Sequence, residues 1–407
     1  MIVLLAPHST SLSGGYIYNQ NITAELPNDR FRYVQLPRQA AADSSARTGS
    51  ADEVSSALNS TSAPPPPQQL ADFGVPPDAT LLLDSLYFAF PDWVEELAGI
   101  HGGSLAMLVH YLPSLDPTTV GPVVKAKCRA EIRCMSCCDR IVVTSRYMQA
   151  EIRRVMAQEG SYRGFQSGGS EPDGCKSPHN RTVTVAPPGR TKSQPASGHR
   201  ATPNGRIGTS ERVAASSSTE RSALQLLTVA NWTAAKNHAY LLPLLEEFKE
   251  LNWNWKIFGQ ADENGSLLED FMQLAAECDL SERIRVEPQI SPQQVDQQLQ
   301  KADLFLYPSR FESYGMIIAE ALSAGVPVIA NHTGGIPEVV GDGPAAILCK
   351  SRDEHSARKE WHRALRKLMT DETARAEMRR AAVERARSLP NWSSTANTIF
   401  KALERDS

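Results

Sequence analysis

The chain has 407 residues, of which 41% are hydrophobic, and a formal net charge of −4. This length exceeds what one ordinary hydrophobic core holds and predicts two globular domains. The amino-terminal run MIVLLAPHS has no basic residue and is too short for a signal peptide or a membrane span, so we expect a cytoplasmic protein. The seven cysteines are an odd number, which favours reduced thiols over a disulfide framework.

The net charge is spread unevenly along the chain. Residues 101–222 carry 17 Lys and Arg against 9 Asp and Glu, a difference of +8, whereas the residues on either side are acidic. A basic surface attracts anionic lipid head groups or acidic saccharides, so a peripheral contact with the inner face of a membrane stays open. Much of this charge lies in polar segments, and ordinary solvated charge explains it equally well. No nucleic-acid partner is expected.

The first predicted strand, residues 2–6, is followed by a loop with Gly14 and Gly15 and by a helix over residues 16–26. Between a strand and a helix, a glycine pair allows the backbone to approach a phosphate, although it also serves as plain turn chemistry. A dinucleotide-binding G-x-G-x-x-G motif is absent, which counts against an NAD enzyme.

A second strand is predicted at residues 31–36. The polar sequence after it contains four consecutive prolines and lacks the apolar residues of a core, so residues 38–77 are interpreted as an insertion. Strands at residues 80–83 and 105–109, with a helix at 90–98 between them, restore the α/β pattern.

Two groups of side chains in the next stretch invite a functional interpretation. His110 directly follows the strand at 105–109, although a lone histidine at a strand end is usually structural. A helix at residues 122–138 contains four cysteines. Zinc sites normally bring a second ligand pair from elsewhere, and adjacent cysteines on a helix point apart, so no metal is expected on this helix. The four are Cys128, Cys134, Cys137 and Cys138.

Low-complexity sequence separates the predicted domains. Residues 160–178 form a second polar insertion in the first domain, which covers residues 1–189. Residues 190–222 are rich in Ser, Thr, Gly, Pro and Arg, which is typical of a flexible linker. The second domain is predicted at residues 223–388, and a terminal helical segment follows at residues 389–407.

The second domain opens with a strand at residues 224–229 and a loop with Asn231 and Lys236, followed by a predicted helix to about residue 251. A lysine at a helix start is unfavourable unless an anion is bound, because the helix dipole is positive at that end. Two further strands, at residues 256–258 and 284–287, continue a parallel sheet.

Residues 304–343 form a complete βαβ pattern, in which Glu312 precedes the helix and Glu320 lies within it. Two surface glutamates at this spacing are common by chance. In parallel sheets, however, the loops at the carboxyl ends of strands bind ligands, and the free amides at a helix start bind anions. Here those amides belong to Ser313, Tyr314, Gly315 and Met316.

This stretch resembles the signature of glycosyltransferase family 4, the retaining GT-B enzymes. The matching motifs are Pro-Ser, Glu, Tyr-Gly, Glu, Ala-Gly-Val-Pro-Val and Gly-Gly-x-Pro-Glu, in this order. The resemblance extends over nearly the whole chain apart from the insertions. It implies an α/β GT-B fold, in which two doubly wound Rossmann-like domains face a cleft and the last helix crosses back to the first domain.

The resemblance also implies roles for residues of the second domain. Glu312 would approach the donor sugar, Glu320 would hydrogen-bond the nucleotide ribose, and the amides of residues 313–316 would bind the diphosphate. Lys236 would contact the same diphosphate. Asn231 stands where the family usually has an arginine, which puts half of the usual cationic clamp in question.

In the first domain, the resemblance places Gly14 and Gly15 beside the donor diphosphate and His110 beside the sugar or the acceptor. The implied catalytic residues are therefore Glu312, His110 and Lys236. The implied donor-binding residues are Gly14, Gly15, Asn231, Lys236, Ser313, Tyr314, Gly315, Met316 and Glu320.

The activity that the resemblance implies is that of a hexosyl- or related glycosyltransferase in polysaccharide biosynthesis. It would transfer a sugar, with retention, from a nucleotide diphosphate sugar to a saccharide or lipid-linked acceptor. No cofactor is expected, and no bound metal, because the chain has no Asp-x-Asp motif. The alternatives are a GT-B sugar-nucleotide epimerase or phosphorylase, and a non-catalytic sugar-nucleotide-binding scaffold.

Overall fold

A computed structural model shows two domains, each built on a six-stranded sheet of parallel strands. The structure describes residues 1–8, 13–37, 63–157, 182–190, 223–262, 264–351 and 353–404. Most strands are apolar and buried, as expected for parallel sheets that are covered by helices on both faces.

The first domain contains strands β1 to β6 and four described helices. The strands are Ile2–Pro7, Phe31–Leu36, Thr80–Asp84, Leu105–Val109, Arg140–Val143 and Thr182–Val185. The helices α1 to α4 are Gly14–Glu25, Pro91–Ile100, Pro122–Ser136 and Arg146–Met156. The strand order is β2-β1-β3-β4-β5-β6, and all neighbours are parallel.

The second domain contains strands β7 to β12, which are Leu224–Val229, Trp253–Phe258, Ile284–Glu287, Leu304–Tyr307, Val328–Asn331 and Ala346–Cys349. Its described helices α5 to α11 are Leu242–Glu246, Ser266–Glu277, Pro292–Leu299, Met316–Ser323, Ile336–Val340, Glu354–Thr370 and Glu372–Arg387. The strand order is β12-β11-β10-β7-β8-β9, again with parallel neighbours.

The strand order of each sheet reverses at one point. In the first sheet the reversal lies between β1 and β3, and in the second it lies between β7 and β10. At such a point the connections leave neighbouring strands on opposite sides, which opens a crevice at the carboxyl ends of the strands. A single cavity is lined by residues that follow strands of both sheets, so the two crevices face each other.

A last helix, α12 (Trp392–Leu403), packs on the first domain although it follows the second in the chain. Ile399 and Leu403 are buried against the first sheet, and the ring of Trp392 meets that of Tyr18 edge to face at 5.4 Å. Thr395 donates a hydrogen bond to the carbonyl of Pro187 at 2.6 Å. The chain thus crosses between the domains a second time at its carboxyl end.

Beside the cavity, a carboxylate of the second domain caps a helix of the first. The two oxygens of Glu338 accept hydrogen bonds from the amides of Arg146 and Tyr147 at 2.9 and 2.6 Å, and these amides begin α4. The hydroxyl of Ser145 donates to the carbonyl of Ser313 at 2.6 Å. A helix start carries free amides and a positive dipole, so the carboxylate stabilises the contact between the domains.

The last part of the predicted insertion at residues 38–77 packs on the first domain. Residues 38–62 lie outside the described residues, but residues 63–77 pack on the first domain. Leu70 and Val75 belong to its core, and the indole of Trp93 donates to the carbonyl of Pro65 at 2.7 Å. This hydrogen bond and the two buried aliphatic side chains hold a segment that is otherwise poor in large apolar residues.

The long helix predicted after Lys236 is wrong. The chain forms two short 3₁₀ turns, Ala234–Lys236 and His238–Leu241, before α5. Asn237 between them has a left-handed φ of 57°, which a continuous helix does not permit. The second predicted insertion at residues 160–178 and residues 191–222 of the predicted linker lie outside the described residues.

Within the described ranges, no helix has the length and apolar character needed to cross a bilayer. The same ranges contain no group of three or more His, Cys, Asp or Glu side chains that are placed to hold a metal ion.

In the cysteine-rich helix α3, burial raises the pKa of the Cys134 thiol, which lies 3.6 Å from the carbonyl of Tyr87. This thiol therefore packs as a neutral group.

Candidate functional site

The cavity between the two domains has a volume of about 540 Å³. All eleven residues singled out by the sequence line it. They are Gly14, Gly15, His110, Asn231, Lys236, Glu312, Ser313, Tyr314, Gly315, Met316 and Glu320. Segments more than 300 residues apart in the chain therefore meet in one space.

Glu312 follows β10 and is held by a network of polar side chains. Its Oε1 atom forms an ion pair with the ammonium group of Lys236 and accepts a hydrogen bond from Tyr307 at 2.7 Å. The hydroxyl of Ser309 lies 3.2 Å from the same oxygen. Among the described residues Oε2 has no partner, so this oxygen is available to a ligand in the cavity.

The carboxylate of Glu312 raises the pKa values of Lys236 and Tyr307. Burial alone would lower the pKa of Lys236, but the carboxylate of Glu312 and the hydroxyl of Tyr307 outweigh it and raise that pKa above its ordinary value. Burial and Glu312 both raise the pKa of Tyr307. At neutral pH the lysine is a cation and the tyrosine a hydrogen-bond donor.

Two glycines fix the backbone that carries Glu312. A Cβ atom on Gly334 would lie 1.8 Å from the carbonyl oxygen of Glu312, and one on Gly335 would lie 2.5 Å from that of Ser313. The amide of Gly335 donates to the carbonyl of Glu312 at 2.9 Å. Any side chain at either position would displace the loop, so the glycine pair sets the position of the carboxylate.

Helix α8 begins directly after this loop, with Gly315 at its amino cap in a left-handed conformation, φ 102°. The amides of Ile318 and Ala319 bond back to the carbonyl of Gly315. The preceding residues, 313–317, line the cavity, and the first amides of a helix have no acceptor within it. This end of the helix can therefore bind an anion.

Glu320 lies one turn further along α8, on the same side as Met316. Burial, with a smaller contribution from Asp296, raises the pKa of Glu320 to about 7. The cavity thus contains a carboxyl group that changes charge near neutral pH.

On the opposite wall, His110 lies in a buried polar group at the ends of β3 and β4. Its Nε2 atom lies 2.9 Å from Asn19 Oδ1 and 3.4 Å from Asp84 Oδ2, and the amide of Asn19 donates to Asp84 at 2.6 Å. Both neighbours of Nε2 are acceptors, so Nε2 carries the proton. Burial would raise the pKa of Asp84, but His110 and the hydrogen bonds from Leu86 and Asn19 lower it below its usual value.

The glycine pair of the first domain lies between this group and the second domain. A Cβ atom on Gly15 would come within 3.0 Å of the imidazole of His110, and one on Gly14 would lie 3.8 Å from the sulfur of Met316. Gly15 thus allows the start of α1 to approach the histidine closely, whereas a side chain at Gly14 would make only an ordinary contact with the start of α8.

The side chain of Asn231 is hydrogen-bonded to the loop after the neighbouring strand β8. Its Oδ1 atom accepts a hydrogen bond from the amide of Gln260 at 3.1 Å. Among the described residues that line the cavity, Lys236 is the only Lys or Arg. Within the described part of the cavity lining, no second Lys or Arg accompanies Lys236 near position 231, where the resemblance predicts an arginine.

Three residues of this site were missed by sequence reasoning, namely Asn19, Asp84 and Tyr307. Asp84 and Tyr307 each end a strand at the cavity, and this polar ending of an apolar run was a usable signal. Asn19 gave none, because it lies in the middle of α1 and its partners are 65 and 91 residues away.

Residues 211–388 match the family model described as glycosyl transferases group 1. Over 143 residues the chain is 34% identical to the D-inositol 3-phosphate glycosyltransferase of Corynebacterium aurimucosum. This stretch covers 35% of this chain and 33% of that protein. The enzyme of the same name from Streptomyces avermitilis is 31% identical over 157 residues, 38% of this chain and 33% of that protein. The matched stretch spans about one third of each relative.

Solved structures are similar over almost the entire chain. Sucrose-phosphate synthase from Thermosynechococcus elongatus has a TM-score of 0.70 at 16% identity, with 98% of this chain and 97% of that chain covered. HepE from Anabaena, in complex with UDP and glucose, has a TM-score of 0.66 at 14% identity, with 99% and 98% covered. These likenesses confirm the predicted α/β GT-B fold, with two parallel-sheet domains facing a cleft, and residues 211–388 carry the group 1 glycosyl transferase match.

Proposed function

We propose that this protein is a glycosyltransferase that uses a nucleotide diphosphate sugar as donor. The carrying observation is that Glu312, Lys236, the start of α8 and Glu320 line one cavity at the switch point of the second sheet. A nucleotide diphosphate sugar has four parts, which are the sugar, the diphosphate, the ribose and the base. The cavity offers a chemically matched group to the first three.

Each match follows from charge and hydrogen-bonding capacity. The helix start and the ammonium group of Lys236 stabilise the negative charge of a departing diphosphate. Glu312 Oε2 accepts hydrogen bonds from sugar hydroxyls, and an ionised Glu320 accepts them from the two ribose hydroxyls. The names of similar proteins agree, since HepE is described with UDP-glucose and the relatives are glycosyltransferases.

The finer parts of the proposal are membership in family 4, retention at the anomeric carbon, and a saccharide or lipid-linked acceptor. Retention requires the acceptor oxygen to bond to the anomeric carbon on the face from which the diphosphate leaves. His110, Gly14 and Gly15 lie on the wall across from α8, which leaves room for an acceptor between that wall and the leaving group. His110 is proposed to face the sugar or the acceptor, and a peripheral membrane contact stays part of the proposal.

Incubation of the full chain with labelled UDP-, GDP- and ADP-sugars and a mixed saccharide acceptor pool tests this function. A transferase forms a glycosidic product and releases nucleoside diphosphate, whereas an epimerase forms an isomeric sugar nucleotide and a phosphorylase needs inorganic phosphate. Glu312→Gln should remove most of the product and leave the fold intact. Donor binding without any turnover would favour a scaffold and contradict the proposal.

Glu320→Gln should weaken nucleotide binding in a pH-dependent way. Ribose hydroxyls donate to the ionised carboxylate, so the affinity of the wild type for the nucleoside diphosphate should rise as pH increases through about 7. The variant should bind about 1.5 kcal/mol more weakly at pH 8, at the lower end of the range for hydrogen bonds to charged groups. Calorimetric titration at pH 6, 7 and 8 measures both effects.

The terminal phosphate of the nucleotide itself titrates at about pH 6. The informative quantity is therefore the difference in affinity between wild type and variant at each pH. Glu282→Gln, a change at an exposed carboxylate outside the cavity, is the matched control.

The raised pKa of Glu320 means that the protonated form of this side chain favours the folded state. The free energy of unfolding of the ligand-free wild type should therefore fall as the pH rises from 4.5 to about 7, and that of the variant should fall less. Equal affinities at pH 8 would remove the ribose role.

Asn231→Arg should tighten donor binding. The new guanidinium would add a charge-assisted contact to the diphosphate where no second cation is described, with a gain of about 1.5 to 3 kcal/mol. The gain should shrink as salt rises, because an exposed charge contact is screened. Asn231→Ala removes only the contact with Gln260 and serves as control. An affinity of the arginine variant that is unimproved at low salt would show that another group already neutralises the diphosphate.

A further inference from the structure

The first-domain wall of the cavity has a chemical character different from that of the second. We define this wall by Tyr33, Asp84, Leu86, Tyr111 and Asp116, all of which line the cavity. It combines aromatic rings with two carboxylates, and it lines the part of the cavity that belongs to the first domain. In the proposed function this is the space that remains for the acceptor.

Both carboxylates of this wall are ionised at neutral pH. Burial would raise the pKa of Asp116, but hydrogen bonds from the hydroxyl and amide of Thr118, at 2.6 and 2.9 Å, lower it. The pKa of Asp84 is lowered in the same manner by His110 and its other partners. Lys127, whose charge also lowers the pKa of Asp116, does not line the cavity and donates to Thr119 at 2.8 Å.

The tyrosines of the wall are fixed and keep their protons. The ring of Tyr111 packs edge to face on Phe311 at 5.4 Å, and its hydroxyl is hydrogen-bonded to Asp116. The hydroxyl of Tyr33 accepts a hydrogen bond from Gln35 at 3.1 Å. Burial raises the pKa of both tyrosines. Aromatic faces suit the C–H surfaces of a sugar ring, and the polar tips suit its hydroxyls.

This chemistry distinguishes between neutral and phosphorylated acceptors. A carboxylate only accepts hydrogen bonds, and the hydroxyls of a polyol or saccharide donate them. A phosphate dianion offers only acceptors and a like charge, so both carboxylates of this wall repel it and only the tyrosine hydroxyls can donate to it. The one Lys or Arg among the described lining residues, Lys236, belongs to the second domain and lies within electrostatic reach of Tyr111, but in the proposed function its charge serves the diphosphate of the donor.

We propose that the first-domain wall binds an uncharged polyol or saccharide unit as acceptor, with Asp116 accepting hydrogen bonds from its hydroxyls, and that it discriminates against phosphorylated acceptors. This inference rests on the proposed glycosyltransferase function. Asp116 is its specificity-determining residue, because its side chain is partly exposed to the cavity, whereas Asp84 is buried and bonded to His110, Asn19 and the amide of Leu86.

The test compares matched acceptor pairs with the full chain and the donor that it turns over. The pairs are glucose and glucose 6-phosphate, fructose and fructose 6-phosphate, and inositol and inositol 3-phosphate. In the best-used pair, kcat/KM should be at least about tenfold higher for the neutral acceptor, the order expected for one like-charge interaction in a partly exposed site. Asp116→Lys should shift this ratio about tenfold or more towards the phosphorylated acceptor, and Asp116→Asn should shift it less.

Asp78→Lys makes the same charge change at an exposed position outside the cavity and should leave the ratio unaltered. If the lysine variant at position 116 does not fold, the asparagine variant still carries the test. Preference of the wild type for the phosphorylated member, or an unchanged ratio in folded Asp116 variants, overturns the inference and leaves the transferase proposal standing. Absence of both donor binding and turnover overturns the proposed function, and this inference with it.

Discussion

The position of Glu312 is the constraint on which the cavity depends. Its carboxylate is held by Lys236 from the loop after β7 and by Tyr307 at the end of β10. Its backbone is held from the other side by Gly334 and Gly335, which follow β11 and leave no space for a side chain. Three neighbouring strands of one parallel sheet thus determine where one oxygen atom points. The ion pair also keeps a buried lysine charged next to the place where a diphosphate would lie.

The same loop links the chemistry to the arrangement of the domains. Phe311 belongs to the core of the first domain although it is part of the second, and its ring meets those of Tyr111 and Tyr147. Ser313 accepts a hydrogen bond from Ser145, and Glu338 caps the start of α4. A movement of one domain relative to the other would therefore act directly on the residues that flank Glu312.

Much of the fold was readable from the sequence because its signals are local. Short apolar runs ended by Pro or Gly predicted the parallel strands, and the order of motifs in residues 304–343 predicted the βαβ unit that the structure confirms. The residues of the candidate site were predicted mainly from the resemblance of their motifs to a known family, and they meet in one cavity because parallel strands bring all their carboxyl ends to one edge. The assigned roles of these residues, and the domain boundaries, stay predictions.

What the sequence did not show depends on contacts between distant segments. The packing of Pro65 on Trp93, and the capping of α4 by a glutamate about 190 residues away, leave no periodic pattern in either segment. The break after Lys236 depends on the left-handed conformation of one asparagine, a residue that helices also tolerate. The contact of Asn231 with Gln260 was equally invisible, because it joins the ends of two neighbouring strands.

The central claim is that the start of α8 and Lys236 form a diphosphate site. Calorimetric comparison of UDP with UMP, GDP with GMP and ADP with AMP, on the wild type and on Lys236→Met, tests it most directly. For the preferred base, the diphosphate should bind at least about tenfold more tightly than the monophosphate, as expected for one added charge-assisted contact, and the variant should lose most of this difference. Equal affinities of the two nucleotides for the wild type, or a tenfold difference that the variant retains, would contradict the account.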